Sequence, residues 1–247
     1  MSAVSLMKRI FITWACANFV FVGLASWIAG GWYLGWNVSP WVKALAELGL
    51  IMLPNLLLPV LVMRYWWPDP VGGIREALGW RWNGWRSVIS GVLAFIAFFL
   101  LATFLVLLVG DSIPYYLPGE SGEGITIDEP GDILALLGLL LGLAVFVLLT
   151  VAGEETMFRG WIQTQVGDRY GVWVGLLAGA ITFGLRHLPA DLFYAQVWQA
   201  TPQMWLSRQL QLYLLAITLG LARVYGKSTY ASAIVHGLVL LFALLGV

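Results

Sequence analysis

Residues 87–110 read SVISGVLAFIAFFLLATFLVLLVG, a stretch without one ionisable side chain. About 20 apolar residues in a helix cross a hydrocarbon core of about 30 Å, so this segment reads as a transmembrane helix. Two further runs, 10–30 and 133–153, are free of charge in the same way. Four others are shorter or interrupted. The run 42–63 contains Glu47, Pro54 and Pro59, 170–187 ends in His187, 207–222 begins with Arg208, and 228–247 contains His236. The expected fold class is an all-α membrane protein, a polytopic helix bundle with about seven transmembrane helices, seven or eight. The eighth depends on 189–204, where Asp191, Gln196, Gln199, Pro202 and Gln203 read as a loop or an interfacial amphipathic helix.

Composition agrees with this frame. Of 247 residues, 60% are hydrophobic and 11% charged, less than half the roughly 25% charged share of a soluble domain. Thirteen Lys or Arg balance thirteen Asp or Glu, for a net charge of +0, which gives no basic face for nucleic acid. The single Cys16 excludes an intrachain disulfide and a thiolate metal site. The first apolar run exceeds the 7 to 15 residues of a signal-peptide core, so it reads as an anchor.

Loop charges set the expected orientation. Lys8 and Arg9, then Arg64, Arg75, Arg81 and Arg86, then Arg169, then Arg223 and Lys227 all fall on one side if the N-terminus is cytoplasmic. The loop 111–132 falls on the other, with Asp111, Glu120, Glu123, Asp128, Glu129 and Asp132 and no basic residue. Its carboxylates lack the spacing of a calcium-binding EF-hand, so it reads as a solvated, translocated loop. Trp32, Trp36, Trp41, Trp66, Trp67, Trp80, Trp82 and Trp85 cluster at span ends as an aromatic belt does. Lys43 and Glu47 stand i and i+4 as a structural ion pair.

An ionisable residue inside the bilayer costs about 2.5 to 3.5 kcal/mol on insertion scales, which makes each one a functional hypothesis. Here they are few. The fourth span runs into Gly153-Glu154-Glu155-Thr156-Met157-Phe158-Arg159, the fifth ends at Phe183-Gly184-Leu185-Arg186-His187, and the last carries His236. In a helix Glu155 and Arg159 are i and i+4 and form an ion pair in the favoured order. Glu154 then points about 100° away and is left without a cation, which suits a general base or acid. Phe183 and His187 are also i and i+4, so the ring can fix the imidazole. Glu154 and His187 on facing helices would hold a water, leaving His236 free to donate to charge developing on a carbonyl. Arg186 reads as snorkelling to an interface. The competing structural reading makes the glutamates the polar end of a span and each histidine a helix-to-helix hydrogen-bond partner.

The pattern Glu154-Glu155-x-x-x-Arg159, Phe183-x-x-x-His187 and then His236, in that order, resembles the CPBP family. These are the CAAX-protease and bacteriocin-processing intramembrane glutamic endopeptidases (Abi-like), whose signature reads EExxxR, FxxxH and HxxxN or HxxxD. The resemblance implies a protease domain over 87–247, preceded at 1–86 by an anchor region with two spans and a basic cytoplasmic loop. It implies an endopeptidase in which Glu154 and His187 activate water and His236 helps hold the oxyanion. Glu155, Arg159 and Phe183 would support them. The chain departs from the signature at Leu240, and no Asn or Asp follows Asp191. The expected partners are the lipid bilayer and a peptide or membrane-protein substrate, in a bacterial inner membrane with the N-terminus in the cytoplasm. No cofactor is expected. Within the enzyme class the competing reading is zinc held by Glu154, His187 and His236, although the helical HExxH spacing is absent. From other classes, the alternatives are a non-catalytic immunity or scaffold protein that binds a peptide or partner, which Leu240 favours, and a transporter.

Overall fold

The computed structural model describes residues 3–21, 24, 52–66, 73–110, 144–145, 147–197 and 200–244. Among them all regular structure is helical. Helix α1 (Ala3–Ala15) runs into a π-helical turn, Cys16–Phe21, and α2 (Leu53–Trp66) and the short α3 (Gly73–Ala77) follow. Then come α4 (Trp85–Val109), a π-helical segment (Glu155–Gln163) continuous with α5 (Thr164–Tyr170), α6 (Val172–Val197), α7 (Pro202–Gly226) and α8 (Thr229–Leu244).

The distribution of polarity is that of a bundle in lipid. Helix α4 has 25 residues, about 37 Å at 1.5 Å per residue. It turns Ile89, Leu93, Leu100, Phe104 and Leu107 outward, while Ser87 and Gly91 are its buried residues. The interior meanwhile holds Glu154, Glu155, Arg159, Arg186, Asp191 and Arg208. Exposed aliphatic faces over a charged core invert the arrangement that water imposes and match the one that hydrocarbon imposes. Among the described residues α4 is the one helix both long and apolar enough to cross a membrane, and Leu53–Tyr65, Val172–Leu188 and Thr229–Ala243 are shorter apolar helices. The protein is an all-α membrane helix bundle.

Helix α7 is the central post, packed against α4, α6 and α8, and α8 also lies along α4. Small residues set these distances. A Cβ on Gly91 would stand 2.8 Å from the Ala231 carbonyl oxygen, and one on Gly184 would enter the Tyr213 ring. At Gly175 the obstacles are backbone, the Gln163 carbonyl and the Gly167 Cα at 2.7 Å, neither of which can swing away. Gly175→Ala is therefore expected to lower stability by about 1 to 3 kcal/mol, read as an earlier thermal unfolding of the purified protein in detergent.

For the segment 189–204, read from sequence as a loop or an interfacial amphipathic helix, the described residues are mainly helical: those up to Val197 continue α6, and α7 begins at Pro202, with the Thr201 side chain accepting from the Met204 N–H at 3.2 Å. The polar residue that suggests a loop finds its partners across the helix pair. Buried Asp191 accepts from Arg208 Nε at 3.3 Å and from Gln209 Nε2 at 2.8 Å.

The turn between α7 and α8 is tied to the segment before α4. Lys227 adopts a left-handed conformation (φ 51°) that ends α7. Ser228 Oγ donates to the Arg81 carbonyl at 2.6 Å, Thr229 Oγ1 to that of Leu78 at 2.8 Å, and the Thr229 N–H to that of Gly79 at 2.8 Å. Trp80 is thereby placed half-buried, its Nε1–H donating to Thr156 Oγ1 at 2.9 Å. It bolts this segment to the glutamate-bearing one, whereas the sequence puts it in an interfacial belt; Trp82 and Trp85 are exposed, as a belt requires. The acidic loop 111–132, the Lys43–Glu47 pair and Trp32, Trp36, Trp41 and Trp67 lie outside the described residues, as do most of 22–51 and 133–143.

Candidate active site

The acidic motif sits on an unusual backbone. Residues Glu155–Gln163 wind as a π-helix, and all nine are buried. The wider i to i+5 turn is a rare element that recurs at functional sites. It also reduces the rotation between neighbouring positions below the 100° of an α-helix. Glu154, in α conformation just before this segment, and Glu155, its first residue, both face His236 of α8.

His236 lies between the two carboxylates. Its Nδ1 is 2.8 Å from Glu155 Oε1, and its Nε2 is 3.7 Å from Glu154 Oε2. The short contact is a hydrogen bond in which Nδ1–H donates to the carboxylate, fixing the ring and aiming Nε2 at Glu154. The longer one exceeds hydrogen-bond length, so that oxygen of Glu154 is not tied to the ring. Glu155 Oε1 also faces Arg159 Nη1 at 3.5 Å, the expected i, i+4 pair. Arg159 is held in turn by the Ala216 carbonyl, which accepts from Nη2 at 3.1 Å, and by Phe183, whose ring centroid is 4.5 Å from the guanidinium carbon.

Phe183 is the hub of the aromatic contacts. Its centroid is 5.0 Å from that of His187 and 6.1 Å from that of His236, and Phe158 meets it edge-on at 5.3 Å. The i, i+4 packing of Phe183 on His187 thus forms. The remaining link is Arg186. Its Nη1 pairs with Glu154 Oε1 and lies 3.3 Å from His187 Nε2. A guanidinium only donates, so His187 Nε2 accepts and its ring proton is on Nδ1. One nitrogen of Arg186 thereby joins Glu154 to His187, and Phe183 lies against both His187 and His236.

Two corrections to the sequence reading follow. Glu154 is not left without a cation, because Arg186 turns into the bundle rather than snorkelling outward: it is 7% exposed, and the buried carboxylate supplies the counter-charge that makes an inward guanidinium tolerable. His236 is not free, because Glu155 Oε1 lies 2.8 Å from its Nδ1.

These residues lie within a segment that has known relatives. Residues 136–242 match the family model described as type II CAAX prenyl endopeptidase Rce1-like. Over this segment the chain is similar to that family. That family consists of CAAX-type membrane proteases and falls within the CPBP group that the sequence resembles. No curated protein matches the chain, and no solved structure does.

The Rce1-like segment contains every site residue named from the sequence, Glu154, Glu155, Arg159, Phe183, His187 and His236. Sequence reasoning missed Arg186 and Thr156. A signal for Arg186 was available: it is the residue next to His187 in an otherwise apolar run, and burying it demanded an acid from another helix. For Thr156 there was none, since its partner Trp80 is 76 residues away. Leu240 is half-buried one helical turn beyond His236. Among the described residues no group of three His, Cys, Asp or Glu is disposed to hold a metal ion. An arginine stands at each glutamate, Arg159 at Glu155 and Arg186 at Glu154.

Proposed function

We propose that the chain is an intramembrane endopeptidase that hydrolyses a peptide bond of a membrane-associated peptide or protein by attack of a water that its own side chains activate. The observation that carries this reading is the buried Glu154 carboxylate, with Oε1 fixed by Arg186 and Oε2 facing His236 Nε2 at 3.7 Å inside an Rce1-like segment. Glu154 is the general base and takes a proton from water through Oε2. The hydroxide oxygen adds to the scissile carbonyl carbon, the C–N bond breaks, and the proton passes to the leaving amine, giving a carboxylic acid and an amine. His187 orients the water beside Glu154, and His236, held by Glu155, stands where the proton is handed on. No cofactor enters this scheme.

The compartment belongs to the same reading: a bacterial inner membrane, with the N-terminus and the basic loops in the cytoplasm. Its support is the gathering of basic side chains at one end of the bundle, where Arg86 Nε donates to the Tyr225 carbonyl at 2.6 Å and Arg81 Nε to that of Lys227 at 3.5 Å. Positive residues concentrate on the cytoplasmic side. The division into an anchor region, 1–86, and a protease domain, 87–247, also stands as a proposal. The substrate class is a membrane-bound peptide, with prenylated CAAX sequences and bacteriocin precursors as the first to try.

The test is cleavage of a membrane-tethered peptide library, prenylated and unprenylated, by the protein in liposomes. Wild type is expected to cut members of it and Glu154→Gln to cut none. Binding of peptides without cleavage by either protein would replace the enzyme with an immunity or scaffold protein.

A further inference from the structure

We propose that Arg186 is a catalytic residue of this site, the donor that receives the negative charge developing on the substrate carbonyl oxygen. This inference rests on the endopeptidase reading and deepens it. Attack of water on a peptide carbonyl moves the π electron pair of the C=O onto its oxygen, and that oxyanion needs an N–H or O–H aimed at it.

Of the two described side chains that pair with Glu154, His236 and Arg186, the second keeps such a donor. The Nδ1–H of His236 is spent on Glu155, and Nε2 of His187 accepts from Arg186 and cannot donate. Arg159 donates to the Ala216 carbonyl through Nη2 and faces Glu155, not Glu154, with Nη1 at 3.5 Å. Leu240, one turn beyond His236, has no donor. Arg186 uses Nη1 for Glu154 and His187, while its buried Nε has no hydrogen-bond partner among the described residues. The side chain is 7% exposed, so water does not supply that partner freely.

An unsatisfied buried guanidinium N–H is costly to leave unmade in a resting protein. A peptide carbonyl placed at Nε would satisfy it. The same planar group holds the base through Nη1, so the carbonyl and Glu154 would share one guanidinium. As the oxygen becomes an oxyanion this hydrogen bond becomes charge-assisted and strengthens, so it favours the transition state over bound substrate. When the C–N bond breaks the charge returns to the C=O bond, and Arg186 keeps its protons throughout.

The experiment compares single-turnover cleavage of the best library peptide by wild type, Arg186→Lys, Arg186→Gln, and each of these combined with Leu240→Asn. Lysine keeps the positive charge beside Glu154 but loses the second, fixed donor. Arg186→Lys is expected to retain the wild-type melting temperature and peptide affinity while kcat falls about 10² to 10³-fold. Leu240→Asn, which offers an amide N–H from one turn beyond His236, is expected to restore at least tenfold of that loss in either background. A residue that merely held Glu154 in place would not be rescued from position 240. Arg186→Lys cleaving at the wild-type rate, or losing activity with no recovery on adding Leu240→Asn, overturns the assignment while the endopeptidase reading stands. Absence of cleavage by wild type overturns both.

Discussion

Glu154→Gln is expected to reduce peptide cleavage by at least 10³-fold while the protein still folds and still binds its peptide. The amide keeps the size of the carboxylate and can still accept the Arg186 N–H through its oxygen, so the guanidinium is not stranded. What it loses is the ability to take a proton, and general base catalysis supplies about 10² to 10⁴-fold. Removing the carboxylate outright is different. In Glu154→Ala the Arg186 charge is left buried without its acid, and a fall in melting temperature is expected beside the loss of activity. Gln and Ala variants that melt together well below wild type would indicate that Glu154 serves the fold alone.

The largest effect on stability is expected at Arg159. The side chain is fully buried, faces Glu155, donates to the Ala216 carbonyl of α7 and stacks on Phe183. Removing one member of a buried pair leaves an uncompensated charge and costs about 3 to 5 kcal/mol. At about 2 to 4 °C per kcal/mol for a chain of this size, Arg159→Ala is expected to melt roughly 6 to 20 °C lower. Glu155→Gln is expected to lose less, because the amide oxygen still accepts from Arg159 or from His236. A double-mutant cycle over Glu155 and Arg159, read by thermal unfolding, would give a coupling of more than about 1 kcal/mol; strict additivity would remove the pair from the account.

What the sequence made legible followed local rules. The apolar stretch of α4 needs no partner to be recognised, because length and the absence of charge suffice. The i, i+4 relations, Glu155 to Arg159 and Phe183 to His187, are local in the same sense, and both form. Three features escaped because they depend on contacts made far along the chain. Asp191 reads as part of a loop or an interfacial helix until Arg208 and Gln209 of the next helix stand opposite it. Trp80 reads as interfacial until Thr156 accepts its N–H. Arg186 reads as snorkelling until Glu154, 32 residues earlier, supplies an acid at its level in the bundle. The π-helix escaped for another reason. Periodicity arguments assume 3.6 residues per turn, so the sequence assigns Glu154 and Glu155 to separate faces and frees His236. Both glutamates meet the same imidazole, and this turns a list of isolated polar residues into a connected network.

That network makes a metal-free claim about chemistry, and one measurement tests it most directly. Single-turnover cleavage of a membrane-tethered peptide would be followed with wild type and Glu154→Gln, each stripped with a strong chelator and assayed in its presence. The account predicts an undiminished wild-type rate and at least a 10³-fold lower rate for Glu154→Gln. A wild-type rate that vanishes on chelation and returns with added zinc would contradict it, as would a Glu154→Gln variant that cleaves as fast as wild type.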